Sequence, residues 1–292
     1  MSRSQTHIDK NAMYGGSTPS WLTDFRNNLY GRFSKNIMLL LDSKKPRTTF
    51  THKGRLEPRR AYRYKFSDQL FKQNQSVPTS DTTIIFLIDG SGSMDGERIR
   101  KSTAICSAFA KSINDVTRNQ IKFECFVKHA PCVGDEQYGG SFVSVTKVLS
   151  NVGKTENDFD KILTLDATSP FVMEGNDYGS GSYTSEFAIM PAIRKYMAKK
   201  LTTKNAIVVN LTDGGAYCSL GNGFSFRSVE NGQMRVKYLS QVPHVTVIVG
   251  SDISKGERDE AYGNNVIECE DEDFVPKLFK LFMGFLENAY EN

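Results

Sequence analysis

The sequence predicts an α/β protein: a doubly wound, mostly parallel sheet behind a helical, basic N-terminal extension. Three observations carry this reading. Short runs such as Ile84-Ile85-Phe86-Leu87-Ile88 and Ala206–Leu211 suit strands buried on both faces. These runs alternate with segments of helical period, the pattern of βαβ units. Positive charge is concentrated ahead of them: nine basic residues lie between Lys44 and Lys65 against Glu57 alone, a local charge of +8. The whole 292-residue chain carries only +4, so the remainder is mildly acidic.

Taken in order, residues 1 to about 18 are polar, without period, and read as a loose tail. From Trp21, the apolar positions Leu22, Phe25, Leu29, Phe33, Ile37 and Leu40 advance by threes and fours. Ser20 stands at the N-cap position of the helix they predict. The basic stretch follows, then Phe66, Leu70 and Phe71, then a Gln/Asn/Ser/Pro linker over Gln73–Ser80. The organisation expected is therefore an N-terminal tail, helix and basic segment over 1–80, and one domain over 81–292.

Within that domain, Ile84–Ile88 is the first strand, and Glu97–Asn114 a helix carrying Ile99, Ala104, Phe109 and Ile113. Ile121–Val127 and Phe142–Val148 are the next strand candidates. Tyr183–Lys199 reads as helix, then Ala206–Leu211, Val245–Val249 and Val266–Glu268 as strands, and Phe274–Leu286 as a closing helix. Phe274, Leu278, Leu281, Phe282 and Phe285 form its core-facing stripe.

Composition excludes several classes. Apolar residues make up 39 % and charged residues 24 %, as in ordinary globular domains and unlike collagen or disordered chains. Apolar runs fall far short of the roughly 20 residues that span a bilayer. No charged start leads into an apolar stretch, so no secretory signal is expected. Five cysteines without CxxC spacing (Cys106, Cys125, Cys132, Cys218, Cys269) read as reduced thiols in a cytoplasmic protein.

Ligands of doubly wound sheets sit at the carboxyl ends of strands. The loop after Ile88 is Asp89-Gly90-Ser91-Gly92-Ser93-Met94, one carboxylate and two hydroxyls on a tight turn. The loop after Leu211 is Thr212-Asp213-Gly214-Gly215, which adds a second carboxylate. A third, Gly179–Ser185, is rich in hydroxyls. Hard oxygen donors of this kind suit Mg²⁺, Mn²⁺ or Ca²⁺.

These residues resemble the metal-ion-dependent adhesion site of von Willebrand factor A domains, which have a Rossmann-like sheet, over roughly residues 82–290. The resemblance implies Mg²⁺, with Mn²⁺ or Ca²⁺ as alternatives, held by Asp89, Ser91, Ser93 and Asp213. Aligned on Ser185-Glu186-Phe187-Ala188, the two middle-loop ligand positions fall on Ser182 and Thr184, and both are candidates. One coordination position is left for an Asp or Glu carboxylate from a partner protein.

A narrower resemblance runs through Gly54-Arg55-Leu56-Glu57-Pro58-Arg59-Arg60, Leu70-Phe71-Lys72 and Thr82–Met94, in the order found in CobT-type cobalt chelatase subunits. It implies an AAA+ ATPase partner of the MoxR/CobS type, in the cytoplasm of a bacterium or a virus-infected host cell. The expected role is an adaptor or substrate-recognition subunit with no catalysis of its own. One alternative is a subunit of a cobalt or magnesium chelatase; the chain lacks that subunit's long acidic middle region. Another is a nucleic-acid-associated protein using segment 44–65, where Phe50, Tyr62, Tyr64 and Phe66 interleave with the basic residues. A charge run of this kind is more often a solvated or docked face.

Other chemistries lack their residues. Gly90-x-Gly92 begins a dinucleotide fingerprint, but Asp95 occupies the third glycine position. There is no Walker A sequence and no Gly-x-Ser-x-Gly elbow. The polar stretch Cys218–Gln233, beside the Thr212–Gly215 loop, is a candidate for shaping partner recognition.

Overall fold

The computed structural model describes residues 6–7, 18–43, 48–51, 55–56, 58–59, 71–74, 82–117, 121–131, 143–151, 159–164, 182–183, 193–199, 201, 205–214, 218–219, 225–226, 243–250, 254–262 and 265–291. Thirteen strands occur among them: β1 (Thr6–His7), β2 (Thr48–Thr51), β3 (Arg55–Leu56), β4 (Phe71–Asn74), β5 (Thr82–Asp89), β6 (Lys122–Pro131), β7 (Val143–Ser150), β8 (Ser182–Tyr183), β9 (Asn205–Thr212), β10 (Cys218–Ser219), β11 (Ser225–Phe226), β12 (His244–Ile248) and β13 (Val266–Glu268). The main helices are α1 (Ser20–Ser43), α2 (Glu97–Thr117), α3 (Lys255–Tyr262) and α4 (Phe274–Glu291), and residues 193–199 are also helical.

The central sheet runs β1-β7-β6-β5-β9-β12-β13, with β8 added to β6. β5 is parallel to β6 and β9, and β12 to β9 and β13, while β7 runs antiparallel to β6. The fold is thus α/β with a mostly parallel sheet, as the sequence predicts. Counted in chain order, β5, β6, β7, β9, β12 and β13 lie 3-2-1-4-5-6 across the sheet. That order reverses between β5 and β9, which opens a crevice at their carboxyl ends.

β5 is buried along its whole length, as its apolar sequence requires. One face of the sheet presents Ile84, Phe86, Ile88, Phe123, Cys125, Val127, Val209 and Val247 to α1, α2 and α4. Phe109 of α2 is the centre of this core: its ring lies 5.2 Å from Phe33, 5.1 Å from Phe86 and 5.4 Å from Phe282. α1, from the region before residue 81, is built into the same core through Leu29, Phe33 and Ile37. Polar contacts hold it there as well: Tyr30 Oη donates to Asp115 Oδ2 at 3.0 Å, and Arg32 Nη2 to the Glu272 carbonyl at 2.8 Å.

Local differences from the sequence reading have physical reasons. α1 starts one residue early, because the Pro19 carbonyl accepts from the Thr23 amide, so Ser20 lies inside the first turn. The helix expected from Tyr183 is strand at 182–183, where pairing with Ala130 and Pro131 overrides helical spacing; 193–199 is helical and 184–192 lies outside the described residues. The basic segment contributes β2 and β3, which pair with β4 as a small antiparallel sheet. Helix α3, Lys-Gly-Glu-Arg-Asp-Glu-Ala-Tyr, has too few apolar residues to show a period.

Candidate metal centre

The crevice between β5 and β9 brings together two loops that are 123 residues apart in sequence. Leu87 and Asn210 are in register, so Asp89 and Thr212, two residues further along the same strands, end them on the same face. Thr212 Oγ1 donates to Asp89 Oδ2 at 2.8 Å, which fixes one carboxylate oxygen. The other, Oδ1, accepts the Ser91 amide at 3.0 Å as the chain turns. The turn continues into a short 3₁₀ segment, Gly92–Met94, where the Met94 amide bonds the Ser91 carbonyl at 3.0 Å. Gly96, with φ of 75°, then lets the chain enter α2.

This turn sets Ser91 Oγ 3.1 Å from Ser93 Oγ. Asp89 and Asp213 are completely buried, Ser91 nearly so, and Ser93 is exposed at the mouth. On the β9 side, the Gly214 amide bonds Thr212 Oγ1 at 3.2 Å with φ of 89°, and Tyr262 of α3 donates to the Gly214 carbonyl at 3.1 Å. The Gly90 amide bonds the Lys128 carbonyl at 2.8 Å, tying the first loop to β6. Lys128, in register with Asp89, is itself fully buried.

One side chain crosses the site. Arg98, in the first turn of α2, donates through Nη1 to the Ser93 carbonyl at 3.0 Å and to Asp213 Oδ2 at 3.3 Å. Its stem lies against Gly250, at φ of 70°, where a Cβ would come within 2.9 Å of Arg98 Nε. A glycine is therefore required there twice over, by its backbone and by the arginine above it.

Of the sequence candidates, Asp89, Ser91, Ser93 and Asp213 converge on this crevice. Ser182 lies at the carboxyl end of β6 through its backbone pairing with Pro131. Thr184 lies outside the described residues, as do most of the Gly179–Ser185 loop and much of 218–233. Two participants were not among the sequence candidates: the Thr212 hydroxyl, signalled only by its place before Asp213, and Arg98, which nothing in the sequence singles out.

Two buried carboxylates and two adjacent hydroxyls form a hard-oxygen donor set of the kind that Mg²⁺, Mn²⁺ and Ca²⁺ take. They fit such an ion without any cluster of three or more His, Cys, Asp and Glu, and the described residues contain no such cluster. No described helix is long and apolar enough to cross a membrane. The described cysteines Cys106, Cys125 and Cys269 are free thiols. Burial, with Glu270 nearby, pushes Cys269 up to about 12.

No family model matches the chain, and no curated protein matches it. Among solved structures it is similar to the pilus adhesin SpaC of Lactobacillus rhamnosus GG in its open conformation, at 13 % identity and a TM-score of 0.45. The match covers 72 % of this chain and 30 % of that one, so the chain spans less than a third of the adhesin's length.

Proposed function

We propose that the chain is a von Willebrand factor A-type binding module that presents a divalent cation to a carboxylate of a partner protein. Asp89, Ser91, Ser93 and Asp213 would hold the ion, with Ser182 or Thr184 from the middle loop. Mg²⁺ is the expected ion, with Mn²⁺ or Ca²⁺ as alternatives. When bound, it supplies a hard, doubly charged centre for a partner's Asp or Glu.

The observation that supports this best is the 2.8 Å bond from Thr212 Oγ1 to Asp89 Oδ2 at the reversal of strand order. It locks the two acidic loops together at the position where doubly wound sheets bind ligands. The chain's own residues do the positioning. The Ser91 amide and the Thr212 hydroxyl orient the Asp89 carboxylate, and the 3₁₀ turn aligns the two serine hydroxyls. Burial keeps water from competing for both carboxylates. The proposed work is recognition. The resemblance to CobT-type subunits makes a MoxR/CobS-like AAA+ ATPase the proposed partner, with this chain as its adaptor.

Titration calorimetry with Mg²⁺ and Mn²⁺ tests the reading. Saturable binding is expected for the native chain and none for Asp89→Asn, which keeps the size of the side chain and removes its charge. Equal binding by the native chain and the variant, or by neither, would overturn it. Capture of the ATPase should then depend on Mg²⁺ and be lost in chelator.

A further inference from the structure

Arg98 has no role in the function proposed above, yet its side chain reaches both loops of the site. A cation in the first turn of a helix opposes the helix dipole, so α2 gains nothing from an arginine at this position. The side chain instead turns back across the first loop. One nitrogen, Nη1, reaches both the Ser93 carbonyl and the Asp213 carboxylate. Gly250 leaves open the space the stem occupies, so the β12 loop is shaped around the arginine. Asp213 is fully buried while Arg98 is about a third exposed, which places the guanidinium as a lid over a carboxylate that has left water. A buried carboxylate of this kind needs a positive partner.

We propose that Arg98 is an internal cation that occupies Asp213 in the ion-free protein and competes with the divalent ion for that carboxylate. This rests on the reading that Asp213 is a metal ligand. Loading then requires Asp213 Oδ2 to exchange one cation for another, and the displaced guanidinium stays close enough to repel the ion. Arginine does not lose its proton in proteins, so the latch opens only by displacement. Arg98 thereby sets the cation affinity of the site and keeps its buried acid neutralised between partners.

The test is Mg²⁺ and Mn²⁺ calorimetry on the full chain for the native protein, Arg98→Met and Arg98→Lys, with melting temperature as the check on folding. Removing a charge-assisted contact to a buried acid should tighten cation binding about tenfold to a hundredfold in Arg98→Met. Arg98→Lys, which loses the fork and keeps the charge, should fall between, and it carries the comparison if Arg98→Met does not fold. A second readout is the Arg98 Nε–Hε resonance, assigned by its absence in Arg98→Lys, which should shift as Mg²⁺ saturates the native chain. Equal affinity in all three proteins would overturn the latch and leave the metal site standing. Weaker binding in the variants would also overturn it, making Arg98 a residue that positions Asp213 for the ion. Absence of binding in every protein would remove both the latch and the metal reading.

Discussion

Along β5, Ile84, Phe86 and Ile88 enter an aromatic core with α1, α2 and α4, while Thr83, Ile85, Leu87 and Asp89 alternate to the opposite face. The neighbouring strands continue the division. The first face takes Phe123, Cys125, Val209, Leu211, Val245 and Val247, and the second mixes Phe126, Val208 and Ile248 with Glu124, Lys128, Asn210, Thr212 and Thr246. Both faces are buried, so the difference lies in what fills them and not in exposure to water. The apolar face holds the fold together. The second, the polar face, sets charges among its apolar side chains in the interior, and the candidate metal centre lies at its carboxyl edge. A sheet arranged this way can hold two buried acids at one edge because apolar packing on both of its faces supplies the stability.

The largest break in this contrast is Phe109→Ala. Phe109 packs against Phe33, Phe86, Phe279 and Phe282, and its loss leaves a cavity where three helices meet the sheet. Chemical denaturation should show a loss of about 3–5 kcal/mol. A loss below about 1 kcal/mol would mean that α1 and α4 are not docked as described.

The polar face should break differently. Glu124 is buried in mid-strand and accepts from Lys147 Nζ and, at 2.8 and 2.9 Å, from Tyr196 Oη of the 193–199 helix. Lys147 Nζ also donates to Tyr196 Oη at 2.9 Å and lies 5.4 Å from the Phe126 ring centre. Glu124→Met strands a partly buried ammonium and should lose about 2–3 kcal/mol. The double variant Glu124→Met with Lys147→Met should recover most of that loss, since two apolar side chains replace a complete pair. A double variant as unstable as the single one would show that the polar face is specified by packing alone.

The same cluster predicts a pH dependence that the apolar face lacks. Burial alone would lower Lys147, but its bonds to Glu124 and Tyr196 hold it above its ordinary 10.5. Burial raises Tyr196 above its ordinary 10.0. Both groups are raised in the folded state, so their contribution is complete below those ordinary values and is lost as pH rises through the folded ones. Unfolding followed from pH 9 upward should therefore show a steeper alkaline decline in the native chain than in Glu124→Met with Lys147→Met and Tyr196→Phe. Parallel curves would remove the cluster as the cause.

How much of this was legible beforehand follows the same division. The apolar face was readable because Ile84–Ile88 and the stripe from Leu22 to Ile37 are long enough for period and composition to speak. The types of the strands and helices that build this core followed from them, with boundaries off by no more than five residues, whereas the helix expected from Tyr183 is strand at 182–183. The acids of the crevice were readable because Asp89-x-Ser91-x-Ser93 and Thr212-Asp213-Gly214 each end an apolar strand. The contents of the polar face were not. Glu124, Lys147 and Tyr196 meet across three elements, and no local spacing foretells a bond between residues 72 positions apart. Arg98 escaped for a related reason: on α2 it reads as an ordinary charged residue, and only the return of β9 and β12 gives it Asp213 and Gly250.

The smallest expected effects compare the two faces directly, through one threonine on each. Thr82 Oγ1 and Thr246 Oγ1 are buried, and neither meets a hydrogen-bond partner among the described residues. Thr82 begins β5 on the apolar face, beside Ile37, Phe109, Ile207 and Phe282. Thr246 lies on the polar face in register with Asn210, whose amide nitrogen and oxygen are in the same condition. An unmet hydroxyl among hydrocarbons is a pure desolvation loss, so Thr82→Val should raise stability by about 1 kcal/mol. Thr246→Val should gain less, below about 0.5 kcal/mol, because a polar neighbour gives a hydroxyl company that a methyl cannot. Thermal unfolding of the two variants measures the difference. Equal gains would mean that the second face is as apolar in effect as the first, and that its polar residues matter only at the edge where Asp89 and Asp213 lie.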